Sequence, residues 1–311
     1  MIDWLLLVLG FTGLCVGATW LTNGSVAVAK RLRISEYLIG MTIVAVGTSL
    51  PELTVSTAST IAGNVDIAIG NIVGSNIFNT LLILGCCSLI RPIGFTRSNL
   101  RVDIPTAIAV TLALVAMLWN RELSRIEGAA LLIGYVSVLV LSARIGKSEG
   151  ADEEQSGNEK PFSWWRSIAL IVVGLCGLVY GGRLTLDSAV AIAKAYGIAE
   201  EVIAITIIAG GTSLPELAAS IAALVKGHGA LALGNVLGSN IANILLILGT
   251  CSVISPLQMV GVEMTDIWVM AASLVAILVM ALVIGRHRIT RFEAVVCLVG
   301  YGVYIWYLIN R

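Results

Sequence analysis

The sequence predicts an all-α polytopic membrane protein with ten transmembrane helices in two inverted five-helix repeats. Three observations predict it. Of 311 residues, 58% are hydrophobic and 12% charged, with a mean hydropathy of +0.95; no soluble domain needs that much apolar surface. Ten apolar stretches are each long enough to cross a bilayer, which takes roughly 20 residues. The chain also repeats itself at an offset of 164 residues: Gly47-Thr48-Ser49-Leu50-Pro51-Glu52-Leu53 returns as Gly211-Thr212-Ser213-Leu214-Pro215-Glu216-Leu217.

The stretches fall at 3–29, 36–62, 67–90, 101–120, 125–144, 164–193, 200–225, 231–254, 263–284 and 290–309. The N-terminus lacks a basic leader region, so the first stretch is expected to be a helix that stays in the protein. Residues 147–160, between the fifth and sixth stretches, are polar and acidic and read as a solvated linker. They lack the Asp-x-Asp-x-Asp-Gly spacing of a calcium loop. The expected division is 1–144, first half; 145–163, linker; 164–311, second half.

The repeat spans nearly the whole of each half. Gly10, Gly13 and Gly17 match Gly174, Gly177 and Gly181, and Gly70, Asn71, Gly74, Ser75 and Asn76 match Gly234, Asn235, Gly238, Ser239 and Asn240. Pro92 answers Pro256, and past this point the offset becomes 166: Arg125 and Glu127 match Arg291 and Glu293. Five helices per half is an odd number, so the second copy enters the membrane upside down.

Loop charge sets the orientation. With ten spans, fourteen of the nineteen basic residues fall on one side, Lys30, Arg91, Arg144, Lys226 and Arg286 among them. The other side holds Arg121, Arg125, Lys194 and Arg311, while Arg183 lies within the sixth stretch. Basic loops stay in the cytoplasm. The linker is therefore expected inside and both termini outside, in a multi-pass protein of the cell membrane.

Composition argues against other classes. Acidic and basic residues balance at 19 each, so no nucleic-acid partner is expected. The six cysteines lie in apolar stretches without Cys-x-x-Cys spacing, and His228 and His287 fall in loops. No His-Glu-x-x-His, Gly-x-Ser-x-Gly or phosphate loop occurs, so neither an enzyme nor a cofactor is expected. Channels usually build a pore from several identical chains, whereas two inverted copies in one chain suit a carrier that acts as a monomer.

The doubled motif carries the chemistry. Glu52 and Glu216 each place a carboxylate beside a proline within an apolar segment. Such a group in a membrane marks a functional site, and interrupted helices in corresponding places of two halves mark a transporter's binding site. Pro51 and Pro215 cannot donate to the carbonyls of Gly47 and Gly211. Freed carbonyls, hydroxyls and a carboxylate are hard oxygen ligands, suited to sodium or calcium. Asn71, Ser75 and Asn79 share one helical stripe at intervals of four, and Asn235, Ser239 and Asn243 repeat it. Asn71 and Asn235, at the segment starts, read as interhelical glue. Ser75, Asn79, Ser239 and Asn243 read as ligands, and Asn76 and Asn240 fit either role. The structural alternative for the glutamates is pairing with Arg183, which could serve only one of them.

Both motif pairs resemble the two alpha-repeats of the cation/calcium exchanger superfamily, most closely the prokaryotic sodium/calcium exchangers. The resemblance covers the whole chain. It implies that Glu52 and Glu216 hold calcium and share the sodium ions. It implies carbonyl and hydroxyl ligands at Thr48 and Thr212, and side-chain ligands at Ser49 and Ser213. Ala45 and Ala209 would offer carbonyls to outlying sodium sites that Ser75 and Ser239 complete, with Asn79 and Asn243 at mid-site. One departure stands out: family members often carry an aspartate at one of the last two positions, and here both are asparagine. The site then holds two formal negatives, enough for one calcium ion. Proton/calcium antiport through the same glutamates is the alternative, because low dielectric disfavours a charged carboxylate.

Overall fold

The computed structural model describes residues 2–153, 162–197, 209–285 and 287–311. It is almost wholly helical. Helix α1 (Ile2–Leu32) leads to α2 (Glu36–Thr48) and α3 (Leu50–Ile61), which meet at a 45° bend. There follow α4 (Ile67–Ile90), α5 (Asn99–Asn120) and α6 (Arg125–Glu153). The second half runs α7 (Trp164–Ala195), the short turn α8 (Ala209–Gly211), α9 (Leu214–Val225), α10 (Gly229–Ile254), α11 (Met264–Ile284) and α12 (Arg291–Asn310). Eight of these are long and apolar enough to cross a membrane, and the bent pair α2–α3 makes a ninth among the described residues. Most of the stretch expected at 200–225 is visible only as α8 and α9; its first part, like residues 154–161 of the linker and Arg286, lies outside the described residues.

The first residues of the expected linker continue a helix. Helix α6 runs on past its apolar part, Arg125–Arg144, to Glu153. Alanine, glutamate and lysine are good helix formers, so a polar composition does not by itself stop a helix that has already nucleated.

Helices α1 and α7 are the longest, at 31 and 32 residues, and they cross backbone against backbone. A Cβ on Gly17 would sit 2.7 Å from the Gly174 carbonyl oxygen, and one on Gly174 would sit 2.6 Å from the Leu21 nitrogen. The repeated glycines are thus the condition for this contact, the small-residue packing that joins helices in lipid. The centre of the bundle belongs to α4 and α10. Almost every residue of Leu231–Leu248 is buried, as expected of helices that meet protein, not lipid, on all sides.

Four two-residue strands close the loops in two antiparallel pairs. β1 (Ile93–Gly94) pairs with β4 (Arg288–Ile289), and β2 (Glu122–Leu123) pairs with β3 (Leu257–Gln258). Each pair joins one strand from each half.

Candidate functional site

The site is built where both halves break their helices. Ser49 interrupts the turn between α2 and α3, with φ −81° and ψ 10°; Ser213 precedes α9 with φ −91° and ψ 10°. Pro51 and Pro215 stand in the first turn of the helices that follow, where a missing N–H costs nothing. Glu52 and Glu216 occupy the same turns, so each carboxylate sits at the positive end of a helix dipole. Both are fully buried.

The two breaks are cross-linked. Ser49 Oγ donates to Glu216 Oε1 at 2.9 Å, and Ser213 Oγ donates to Glu52 Oε1 at 2.9 Å. Thr48 Oγ1 reaches Asn235 Oδ1 at 3.1 Å, and Thr212 Oγ1 reaches Asn71 Oδ1 at 3.3 Å. The structure therefore joins each threonine–serine pair to the opposite half, which spacing along the chain could not reveal.

Asn71 and Asn235 do hold helices together. Their amides donate to Ser56 Oγ at 3.0 Å and Ser220 Oγ at 2.9 Å, each one turn beyond its glutamate. Sequence reading passed over Ser56 and Ser220, although both are fully buried and hold the 164 offset. That shared offset was the available signal.

Among the described residues, the buried oxygens with no protein partner include Glu52 Oε2, Glu216 Oε2, Ser75 Oγ, Ser239 Oγ, Asn79 Oδ1 and Asn243 Oδ1, with Asn240 Oδ1, Ser25 Oγ, Ser88 Oγ and Ser188 Oγ in the same state. Burying a polar atom unpaired costs about 1–3 kcal/mol, and more for a charged group. The first six, all hard oxygens and two of them on carboxylates, form a donor set suited to a sodium- or calcium-like cation. All six belong to residues expected as ligands. No group of three or more His, Cys, Asp or Glu side chains suited to a transition metal occurs among the described residues.

Asn79 and Asn243 sit in π-helical turns, Phe78–Ile83 and Asn243–Leu248. The stripe from Asn71 through Ser75 thus runs on α-helix and ends where the winding widens. Such turns are frequent at functional sites, but the apolar residues within them give no sequence signal. The Ala45 carbonyl accepts the Ser49 N–H at 3.0 Å and Thr48 Oγ1 at 3.3 Å, so it is already engaged. The side chain of Ala209 lies outside the described residues. Arg183 is not at the glutamates: it pairs with Asp187 at 3.8 Å, both side chains well exposed at 80% and 67%. The alternative in which Arg183 neutralises a glutamate is therefore removed.

Apolar helices that bury unpartnered hard oxygens fit the class of membrane proteins that handle small hard cations. The chain belongs to the sodium/calcium exchanger protein family, whose sequence profile matches residues 2–144 and 166–310. A putative antiporter, CaxA of Alkalimonas amylolytica, is 40% identical over 294 residues, 92% of each chain. The sodium/calcium exchanger MaX1 of Methanosarcina acetivorans is 31% identical, covering 98% of this chain and 97% of that protein. Among solved structures, the sodium-calcium exchanger NCX_Mj soaked with 2.5 mM Na+ and 0.1 mM Ca2+ matches with a TM-score of 0.85 at 31% identity, over 98% of both chains. This is a family of multi-pass cation antiporters, not of enzymes.

Proposed function

We propose that the chain is a secondary antiporter that exchanges sodium for calcium at a shared site near the bilayer midplane. One observation carries this reading: six buried, unpartnered oxygens occur as three equivalent pairs on the two repeats, Glu52 with Glu216, Ser75 with Ser239 and Asn79 with Asn243. Calcium binds between Glu52 and Glu216, whose two charges neutralise it. Ser75, Ser239, Asn79 and Asn243 add neutral oxygens, with Thr48, Thr212, Ser49 and Ser213 lining the breaks. Ala45 and Ala209 supply carbonyls to flanking sodium sites; for Ala45, sodium would take the place of the Thr48 hydroxyl. Because sodium uses the same carboxylates, the two cargoes exclude each other, and that exclusion couples their movements.

The ten-span, inverted-repeat topology belongs to the same proposal, and the short strands support it. β1 and β3 are equivalent at an offset of 164, and β2 and β4 at 166. Yet β1 pairs with β4 and β2 with β3. Equivalent strands thus stand in different pairs. If one pair lies on each face, the excess of basic residues at β1 and β4 (Arg91, Arg97, Arg288 and Arg291, against Arg121 and Arg125 at β2 and β3) assigns β1 and β4 to the inside. The linker is then cytoplasmic and both termini are outside. Access alternates as α1 and α7, locked together by their glycines, move as a unit against the other helices of a monomer in the cell membrane.

The test is calcium-45 uptake into proteoliposomes diluted into sodium-free buffer, after loading with sodium, with potassium or with acid. Uptake confined to sodium-loaded vesicles and lost in Glu52→Gln is expected. Uptake driven by the proton gradient and indifferent to sodium would replace this reading with proton/calcium antiport, and the paired asparagines would be its basis. No calcium uptake in any vesicle would overturn both.

A further inference from the structure

Between the two asparagine-bearing helices the repeat keeps its polar residues at every position from 70 to 79 and loses one at position 80. Asn76 is equivalent to Asn240 and Asn79 to Asn243, but Thr80 is answered by Ile244. Asn76 Nδ2 donates to the backbone carbonyl of Asn240 at 3.1 Å. A carbonyl only accepts, so this bond decides which way the Asn76 amide faces. Its Oδ1 then receives Asn243 Nδ2 at 2.9 Å. That second bond turns the Asn243 amide in its place: Nδ2 is engaged, and Oδ1 is left as a buried oxygen without a protein partner.

The opposite half lacks this relay. Asn240 Nδ2 donates to Thr80 Oγ1 at 2.8 Å, a bond that Ile244 cannot offer to Asn76. Among the described residues nothing orients the Asn79 amide, and its oxygen and nitrogen are both buried and unpartnered.

We propose that Asn76 is a positioning residue that presents the carbonyl oxygen of Asn243 to the cation, while Asn79 is a ligand free to turn. The inference rests on the antiport reading only in taking a hard cation as the site's ligand. An asparagine holds a cation through Oδ1; turned round, it aims two N–H donors at the positive charge. Where both mid-site ligands are amides, orientation replaces the formal charge that an aspartate would bring. The relay supplies that orientation before the ion arrives, so binding does not have to impose it.

The experiment is a thermal-shift titration of the full-length chain in detergent with calcium, strontium, manganese and sodium in turn, beside the uptake assay. Asn76→Ala is expected to raise the half-saturating concentration of the stabilising cation about tenfold, equivalent to 1.4 kcal/mol. Asn240→Ala keeps its backbone carbonyl and is expected to cost about twofold or less, by the same conversion. Asn243→Asp supplies the discriminating background. Both its terminal atoms are oxygens, so orientation no longer matters, and Asn76 Oδ1 would face a carboxylate. There Asn76→Ala is expected to be neutral or to tighten binding. A purely structural role would instead give the same loss in both backgrounds, and that result overturns the proposal. Equal losses from Asn76→Ala and Asn240→Ala overturn it too. Asn76→Ser, whose hydroxyl is too short for the relay, serves if the alanine variant does not fold. Should the expected pattern appear without sodium/calcium uptake, the antiport reading falls and this inference stands. Should no cation stabilise the wild type, both fall.

Discussion

Two cavities flank the broken helices, and they are equivalent under the repeat but not alike. One, of ≈ 380 Å³, lies between α7 and α3; it is lined by Thr54, Arg183 and Asp187 and reaches Gly211 and Thr212. The other, of ≈ 430 Å³, lies between α1 and α9; it is lined by Thr19, Ala218 and Lys226 and meets only apolar residues at Leu214 and Leu217. Across the second, Lys226 Nζ donates to Thr19 O at 3.3 Å and Asn23 Oδ1 at 2.7 Å, tying the end of α9 to α1. The first has no such tie at the equivalent positions: Asp187 stands for Asn23 and Ala62 for Lys226. Arg183 pairs with Asp187 along the same helix instead. A two-fold repeat that alternates must occupy one asymmetric state at a time. On the proposed topology, the cavity that touches the ligand motif is the outer one, and the tied cavity is the inner.

The comparison predicts first what should not differ. Glutamine at position 52 or 216 keeps an oxygen to accept the cross-linking serine hydroxyl but removes the charge and turns one ligand oxygen into a donor. Removing one of two charges that neutralise a buried divalent ion should cost at least about 3 kcal/mol, more than a hundredfold. Glu52→Gln and Glu216→Gln should therefore abolish calcium uptake alike. Substantial exchange in either variant would mean that the halves contribute unequally and that the crossed serine bonds mislead.

Much of this was legible in the sequence because the signals were periodic or repeated. Nine of the ten expected span positions followed from apolar length, and the ligand candidates from the 164 offset together with the family resemblance. What escaped depends on contacts between residues far apart in the chain. Nothing in the order of residues says that Ser49 bonds Glu216 and not Glu52, or that Asn76 turns Asn243. The π-helical turns escaped for a related reason: Phe78–Ile83 and Asn243–Leu248 read as ordinary buried helix, since apolar periodicity barely registers one extra residue per turn. For Arg183 the sequence left open a glutamate, the interface or Asp187 one turn on as its partner, and the structure has the Asp187 pair, because a residue's face on a helix is set by what packs beside it. That the helix winds on to Glu153 was hidden because composition reports solvation, not winding.

Accessibility of the cavities gives the next largest effect. Thr54 and Ala218 are equivalent residues that line one cavity each. Thr54→Cys and Ala218→Cys should be compared in a background freed of native cysteines, since Cys15 lines the inner cavity. A minor conformation typically holds 0.1–10% of the population, so Thr54→Cys should react with an impermeant thiol reagent from outside at least about tenfold faster. Equal rates would erase the distinction drawn between the cavities.

Lys226→Met tests the tie itself. It removes two exposed hydrogen bonds from an ammonium group while keeping an unbranched apolar stem. Exposed polar contacts contribute about 1 kcal/mol at most. Loss of the tie should raise the reactivity of Ala218→Cys by up to about fivefold and lower that of Thr54→Cys by less. If neither rate moves, Lys226 decorates the cavity without holding it.

The smallest effect belongs to Arg183. A cationic side chain at the mouth of a cation pathway is a cost unless its charge is offset, and Asp187 offsets it at 3.8 Å. Both groups are solvated, so the pair adds little to stability, within about 0.5 kcal/mol. Its influence acts on the field at the entrance. Arg183→Gln would leave Asp187 alone, draw calcium toward the outer cavity and lower the half-saturating external calcium by about twofold at low ionic strength. Screening contracts to roughly 3 Å in 1 M salt, so the shift should vanish in 1 M potassium chloride while the losses at Glu52 and Glu216 persist. Thr19→Arg, the equivalent substitution at the inner cavity, should leave external calcium affinity unchanged. A shift from Thr19→Arg as large as that from Arg183→Gln would mean that external calcium senses both cavities, and the asymmetry between them would lose its functional meaning.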